Sequence, residues 1–443
     1  MRLIMKTLNM KTFATAALAT AMATGVFANN KISEGTNHTL YIDRDGNAYA
    51  MGNCSTGVCG VNSLDPKTMQ PTYVGLQNVK EVEAGIRRSA FVTKDNKISA
   101  TVINTGELVE YTGVEGMEVL EVEFYIDTLY ALVKTGEYTV DGKIYPKGQI
   151  YKADSLNILR PVNNNTDYIS LDIHAVAGGA LDMFGNVYTW GPYTHMLGDG
   201  STSGRKELPA EPTITGYGFR HLDMGYKSAV AVTMDDTLFY WGKGNTNPYV
   251  GMEVIPPSDT PVQFAGSIGI DDVAVAYTGH SDFWVIKKDG TLWGAGFHNY
   301  YMRLLNQKVN NWVTFQDNNG GEIRASMFSE GLGDQVLIRD QYGKLYGHSG
   351  NSAGKLGIDI YEVSVELHQF MEPQAPNYVP PKPVEQVAKS APAGDKDRGH
   401  GNDADGIDED NPAYQKFAEL GKARQLALLE KARANALARK NKK

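Results

Sequence analysis

Short runs of alternating apolar and polar residues fill most of this chain, and Asp, Gly and Asn break them at near-regular intervals. Ser228-Ala229-Val230-Ala231-Val232-Thr233-Met234 stops at Asp235-Asp236 and resumes as Thr237-Leu238-Phe239-Tyr240-Trp241-Gly242. Runs of this length and period predict β-strands, and a pair of them around Asp-Gly or Asp-Asp predicts a hairpin. Gly and Asp suit such turns because the backbone there needs a positive φ or a side chain that bonds its own backbone.

The second half of this unit recurs. It reads Asp45-Gly46-Asn47-Ala48-Tyr49-Ala50-Met51-Gly52, then Asp182-Met183-Phe184-Gly185-Asn186-Val187-Tyr188-Thr189-Trp190-Gly191, then Asp289-Gly290-Thr291-Leu292-Trp293-Gly294, then Asp340 to Tyr346-Gly347. With the final Gly of each phrase as a ruler, Gly191, Gly242, Gly294 and Gly347 stand 51, 52 and 53 residues apart. Gly52 to Gly191 is 139 residues, which leaves room for two units with a worn phrase. Asp95-Asn96-Lys97-Ile98-Ser99 fits the first, and Ile144-Tyr145, with Asp141-Gly142-Lys143 as its turn, fits the second. A unit of about 50 residues with about four strands matches a propeller blade, whose faces are buried only by stacking on its neighbours. The expectation is an all-β, seven-bladed propeller.

Gly225-Tyr226-Lys227-Ser228 through Trp241-Gly242-Lys243-Gly244 and Gly279-His280-Ser281 through Trp293-Gly294-Ala295-Gly296 carry a more specific pattern, and Gly85-Ile86-Arg87-Arg88-Ser89 opens a unit the same way. This pattern resembles the RCC1 (regulator of chromosome condensation) repeat family of seven-bladed propellers, over about residues 31–372. Units two and three lack the closing Trp-Gly. The long family loop survives in part, from Gly52-Asn53 to Gly60 and from Gly350-Asn351 to Leu356-Gly357. The resemblance implies a binding scaffold. Eukaryotic nuclear members act as guanine-nucleotide exchange factors, and secreted bacterial relatives include propellers that inhibit β-lactamases.

The ends differ from the body. Arg2, Lys6 and Lys11, then an apolar stretch from Phe13 to Phe27 and the small-residue site Val26-Phe27-Ala28, predict a secretory signal over residues 1–28. The propeller is expected over 29–372, a Pro-, Gly- and Asp-rich disordered linker over 373–411, and a basic α-helix over 412–443. Asn411-Pro412 supplies a cap and a first-turn proline for that helix. Export would place the protein in the periplasm, outside the cell or on its surface. No stretch predicts a transmembrane segment.

Composition narrows the partners. A net charge of −9 argues against a nucleic-acid-binding body, because phosphate-backbone affinity needs clustered Lys and Arg. Only the last helix is basic, and it offers attachment to an anionic surface or envelope polysaccharide. Cys54 and Cys59, in the loop of the first blade, are a disulfide candidate in an exported chain. Asp403, Asp405, Asp408 and Asp410 around Gly406 form a weak calcium candidate, with both ends of an EF-hand loop missing. No nucleophile, zinc or phosphate-loop motif occurs, so neither a catalytic residue nor a cofactor is assigned. His38, His174 and His280 fall in or near the strand-opening slot held elsewhere by Ser89 and Ser228, which suits backbone bonding within the blades.

The aromatic loops after the closing glycines are the best binding-face candidates: Tyr193 and His195, Tyr249, and Phe297, His298, Tyr300 and Tyr301. The resulting expectation is an exported, non-enzymatic scaffold for a protein partner. A cell-wall or polysaccharide enzyme with carboxylates at the propeller mouth is the competing class. Convergent carboxylates with raised pKa at the axis would favour it.

Overall fold

Five of the strand-to-strand turns share one hydrogen-bond pattern that explains their composition. In each, the amide three residues on returns to the carbonyl of the first residue: Gly46 to Asp43, Asn96 to Thr93, Gly185 to Asp182, Asp236 to Thr233, and Gly290 to Lys287. The donating residue has positive φ in every case, between 67° and 86°. That left-handed position is why Gly, Asn or Asp stands there. The first side chain braces the turn: Asp43 Oδ1 accepts the amides of Asp45 at 2.9 Å and Asn47 at 2.8 Å. Asp182 Oδ1 does the same for Phe184 and Asn186, both at 2.9 Å.

A computed structural model describes residues 32–43, 45–54, 56–60, 67–140, 143–174, 177–243, 256–264, 269–279, 282–296, 312–315, 322–330, 336–340, 345–349 and 364–370. The chain divides into units 1–377 and 378–443, and every described residue belongs to the first. That unit is a seven-bladed β-propeller. Blades one, two, five, six and seven are antiparallel four-stranded sheets in sequence order. Blades three and four merge into one seven-stranded sheet.

The first strand of each blade lies at the axis, where it packs on the first strands of its neighbours, and the last blade meets the first. These inner strands are Ile32–Glu34, Val79–Ala84, Val119–Tyr125, Tyr168–His174, Phe219–Met224, Val273–Thr278 and Ala325–Glu330. In blades two to seven each inner pairing is interrupted near its start by a β-bulge. Between neighbouring blades lie seven apolar cores. The core between blades four and five holds Leu181, Phe219, Leu222, Met224 and Trp241. The core that closes the ring is small among the described residues: Ile32, Tyr41, Tyr49, Met51 and Leu337. Arg339 Nη2 donates across that seam to the carbonyl of Ile42 at 3.3 Å.

Two parts of the repeat ruler shift. Gly52 and Gly242 close their phrases opposite His38 and Ser228, but the residue opposite Asp282 is Gly296, while Gly294 pairs with Trp284. Likewise Gly347 pairs with Leu337, two residues before the closing position. A displacement of two leaves every side chain on the same face, so hydrophobic alternation cannot reveal it. The third phrase is displaced further. Its blade-forming part is Ile150 to Ala153, and Ile144-Tyr145 belongs to an extension of the hairpin. The strands Thr128–Val140 and Lys143–Ala153 have 13 and 11 residues, against four to six for their equivalents in the other blades.

That extension is an arm reaching along blade four. Tyr145 is buried in the core between blades four and five, with Tyr138 packed against it at 5.7 Å between ring centroids. Lys147 Nζ bonds Asp167 Oδ1 at 2.6 Å, and Thr135 Oγ1 donates to the Thr166 carbonyl at 3.0 Å. The inserted arm moves the blade-forming strand on to Ile150–Ala153, so the third phrase does not fall at the expected spacing. Cys54 and Cys59 are disulfide-bonded and lie in the core between blades one and two.

Candidate functional site

The inner strands place chemistry at the axis through one structural row. Ser33, Glu83, Glu123, Asp172, Asp223, Tyr277 and Ser329 occupy the same register position in the seven blades. Two residues earlier stand Glu81, Glu121, Ser170 and His221. Six carboxyl groups therefore stand on the inner strands of four adjacent blades. Glu81 is fully buried, Glu83 and Glu123 nearly so, and Glu121, Asp172 and Asp223 are half-buried.

Blades one to five each use these two rows to hold the next blade. The Val122 amide donates to Glu81 Oε1 at 2.9 Å, and the Leu171 amide to Glu121 Oε2 at 2.7 Å. The Met224 amide donates to Asp172 Oδ2 at 3.0 Å and the Thr278 amide to Asp223 Oδ2 at 2.7 Å. Between blades one and two the Ala84 amide donates to Ser33 Oγ, which donates on to Glu83 Oε2, both at 2.8 Å. The bulges add cations to the same joints. Lys80 Nζ bonds the Val119 carbonyl at 2.7 Å, and Arg220 Nη1 the Ala274 carbonyl at 2.6 Å. His221 Nε2 lies 2.6 Å from the Ala276 carbonyl.

Burial dominates the electrostatics. It raises Glu121 to about 8, and Glu83 and Asp172 to about 7. Burial first, then neighbouring carboxylates, lifts Glu81, Glu123 and Asp223 well above the ordinary carboxylate range. The backbone N–H bonds favour ionisation, but desolvation outweighs them. The carboxylate of Glu83 adds to the upward shift of Glu123, and that of Asp172 to the upward shift of Asp223. Burial also lowers His221 to about 4, so it is neutral. Among the described residues no group of three His, Cys, Asp or Glu could hold a metal ion.

The loop face is the second candidate, and the structure divides its sequence-predicted members. After Gly191 the chain makes a single turn of 3-10 helix, Thr194–Met196. Met196 is buried and its carbonyl accepts the Trp241 indole N–H at 3.0 Å from blade five. Paired bonds between Gly191 and Arg205, at 2.6 and 2.8 Å, fasten the loop, and Arg205 bonds Asp199 at 2.8 Å. On this fixed turn Tyr193 is 48% exposed and half-buried His195 lies 5.7 Å from it between ring centroids. Tyr249, Phe297, His298, Tyr300 and Tyr301 lie outside the described residues, as do His280 and Asp403, Asp405, Asp408 and Asp410.

The face also gathers residues that loop composition did not single out. Lys243, exposed, is close enough to lower both His195 and Lys227, in each case after burial. Lys227 stands 5.9 Å from the Tyr226 ring, and His174 meets that ring edge-on at 5.9 Å. Tyr226 and Lys227 sit inside the opening Gly225-Tyr226-Lys227-Ser228, so the repeat marked them as architecture. Where bonding to backbone within the blade was expected, His38, in the strand-opening slot of blade one, bonds the side chain of Ser89 in blade two, at 2.8 Å to Oγ.

No protein-family model matches the sequence. The guanine nucleotide exchange factor SRM1 of Saccharomyces cerevisiae is 24% identical over 160 residues, 33% of each chain, so the chain matches about a third of that curated relative's length. Among solved structures, a chain of the crystal structure of Kap60 bound to yeast RCC1 (Prp20) superposes with a TM-score of 0.57 at 14% identity, over 78% of this chain and 86% of that one. Human WBSCR16 gives a TM-score of 0.46 at 16% identity, over 77% and 81%. At 14% identity the likeness to the yeast RCC1 structure is one of fold: the described residues form a β-propeller similar to that one.

Proposed function

We propose that this chain is an exported, non-catalytic scaffold that recognises a protein partner through the loop face of blades four and five. Tyr193 carries the reading. A large amphipathic ring, 48% exposed on a fastened turn, is the kind of side chain that anchors protein contacts at small entropic cost. Tyr226 and the cations Lys227 and Lys243 beside it fit a partner surface with carboxylates at its rim. Exporting sequence features in residues 1–28 support the compartment.

The raised axial carboxylates are the feature that would favour an enzyme. Their bonding supports the other reading. Glu81, Glu121, Asp172 and Asp223 each spend an oxygen on the next blade's backbone, and Glu83 and Glu123 are buried. A glycoside-cleaving pair needs a carboxylate poised on substrate or water rather than tied into the wall.

Capture from a cell-envelope extract by the full chain tests the face. The Tyr193→Ala/His195→Ala variant should lose about tenfold or more of its affinity for the captured partner at unchanged Tm. Equal capture by the variant removes the face from consideration. The N-terminal sequence of the protein recovered from the envelope or medium tests export, and should begin after Ala28. A second reading, favoured by the stretch shared with SRM1, is a regulator that speeds guanine-nucleotide release from a partner. Faster release from a captured GTPase would select it.

A further inference from the structure

The turns between the second and third strands of the blades lie at the far end from the Tyr193 loop: the strand Val187–Trp190 runs from one to the other. There each linker between blades bonds the turns on either side of it. The Met234 amide donates to the Gly218 carbonyl at 3.0 Å, as the Lys94 amide does to Asn78 at 2.6 Å and the Lys288 amide to Asp272 at 2.8 Å. The Phe219 amide donates to the Gly185 carbonyl at 3.1 Å, as the Val79 amide does to Gly46 at 2.9 Å. These bonds put residues of different blades in equivalent positions. The joint of blades four and five has Phe184, Tyr217 and Met234. The joint of one and two has Asp45, Gln77 and Lys94 in those places, and the joint of five and six has Asp235, Asp271 and Lys288.

Turn chemistry does not call for these rings. At the position of Phe184, Asp95 and Asp235 accept the hydroxyls of Thr93 and Thr233 and so brace their turns. Phe184 makes no use of that bond and stands 60% exposed. Tyr217, 39% exposed, stacks on Phe219 at 5.1 Å between ring centroids and meets Phe239 edge-on at 5.3 Å. Half-buried Met183, Met234 and Phe239 rest on the buried cluster that holds Leu181, Phe219 and Trp241. The core between blades four and five therefore reaches the surface at this joint. Singly exposed apolar residues are ordinary, but a contiguous patch in places that other joints fill with charged and polar residues marks an interaction surface.

We propose that Phe184, Tyr217 and Met234 form a docking surface for a basic amphipathic helix of another protein. Charge selects this occupant. Asp235 is on the same turn as Met234, Asp271 and Asp272 are at the next joint, and Glu137 is on the arm of blade three; all four are exposed. Among the described residues the cations of these segments are already ion-paired. Lys288 and Arg220 hold Asp236, and Lys287 holds Asp271. Lys134 holds Glu118 and Glu137, and Lys147 holds Asp167. An apolar centre inside an acidic rim matches a helix whose aliphatic stripe is flanked by Lys or Arg. A second copy of this chain would set the same acidic rim against itself, which like charges oppose. The surface is at the other end of the blades from Tyr193, so it stands whatever the loop face binds.

The probe is a labelled helical peptide of about 18 residues with a leucine stripe and lysine elsewhere, and its control has glutamate for lysine. Fluorescence anisotropy with the full chain should show the lysine peptide bound and the glutamate peptide free. Phe184→Asp/Tyr217→Gln gives this joint the residues that the joint of blades one and two already carries. It should weaken binding about tenfold or more at unchanged Tm. Phe184→Asp also adds a negative charge, so a peptide held by net charge alone would bind the variant more tightly, which overturns the proposal. Asp235→Asn should weaken binding and flatten its salt dependence. Benzoylphenylalanine placed at Phe184 should cross-link to the lysine peptide, and placed at Asp95, the equivalent position of blade two, it should not. Should the double variant fail to fold, Phe184→Asp alone keeps the Tyr217 stack and decides the matter. Unchanged affinity in that variant, or equal binding of both peptides, overturns the surface. A wild-type dimer in sedimentation that Phe184→Asp dissolves also overturns the proposal, in favour of a second copy. None of these readouts involves the loop face.

Discussion

Single residues in this propeller are constrained both by the paired strand of their own blade and by the approach of the next blade. Gly178 shows why. A Cβ built there would lie 2.1 Å from Trp190 Cζ2, and at Gly179 a Cβ would lie 2.7 Å from Leu222 of blade five. Both contacts are with large buried side chains that have nowhere to move. Gly178→Ala should therefore cost about 3 kcal/mol in a urea titration, at the upper end for overpacking. A cost below about 0.5 kcal/mol would mean the indole has room that the structure denies it. Gly242 is constrained differently. Its φ of 111° is foreign to other residues, and a Cβ would meet the Lys227 carbonyl at 2.4 Å. The sequence showed that a glycine was needed there, and the positive φ gives the reason.

Among elements, the arm of blade three explains the most. A worn repeat reads as decay when only the phrase is inspected. The structure shows an inserted length of hairpin whose aromatic residues have been recruited by the next core. Tyr145 is 5% exposed and sits in the apolar cluster between blades four and five. Tyr145→Ala should lower stability by about 3 kcal/mol, the usual cost of truncating a buried aromatic. Exposed Ile144, at the turn of the same arm, should tolerate Ala within about 0.5 kcal/mol. Comparable losses at both positions would show that the arm does not dock as described. The fastened turn at Tyr193 is the counterpart on the loop face: the same segment that buries Met196 leaves Tyr193 out.

Across the whole molecule, stability depends on closing the ring. Blade one and blade seven are each built from their own four strands, so the seam is held by side chains and by the Arg339–Ile42 bond. Among the described residues, Leu337 is the one that blade seven contributes to that core. Leu337→Ala should cost about 3 kcal/mol. Native-state hydrogen exchange should then speed up in blades one and seven before the others. Uniform acceleration in all blades would mean that the seam is not the weak joint.

Much of this fold was legible from the chain because a propeller repeats its local physics. Period-2 apolar runs, Asp or Gly at the positive-φ turn and a spacing of about fifty residues specify strands, hairpins and seven units before any contact is known. Tertiary structure decided what has no local signature. The two-residue displacement at Gly294 and Gly347 keeps the same parity, and the displacement of the third phrase depends on where an arm folds back. The carboxylates of Glu81, Glu83, Glu121, Glu123, Asp172 and Asp223 stand up to 142 residues apart in sequence and alternate with apolar neighbours, as on any solvated strand. Their raised pKa values and their grip on the next blade exist only because the ring packs the inner strands of neighbouring blades together and buries those groups.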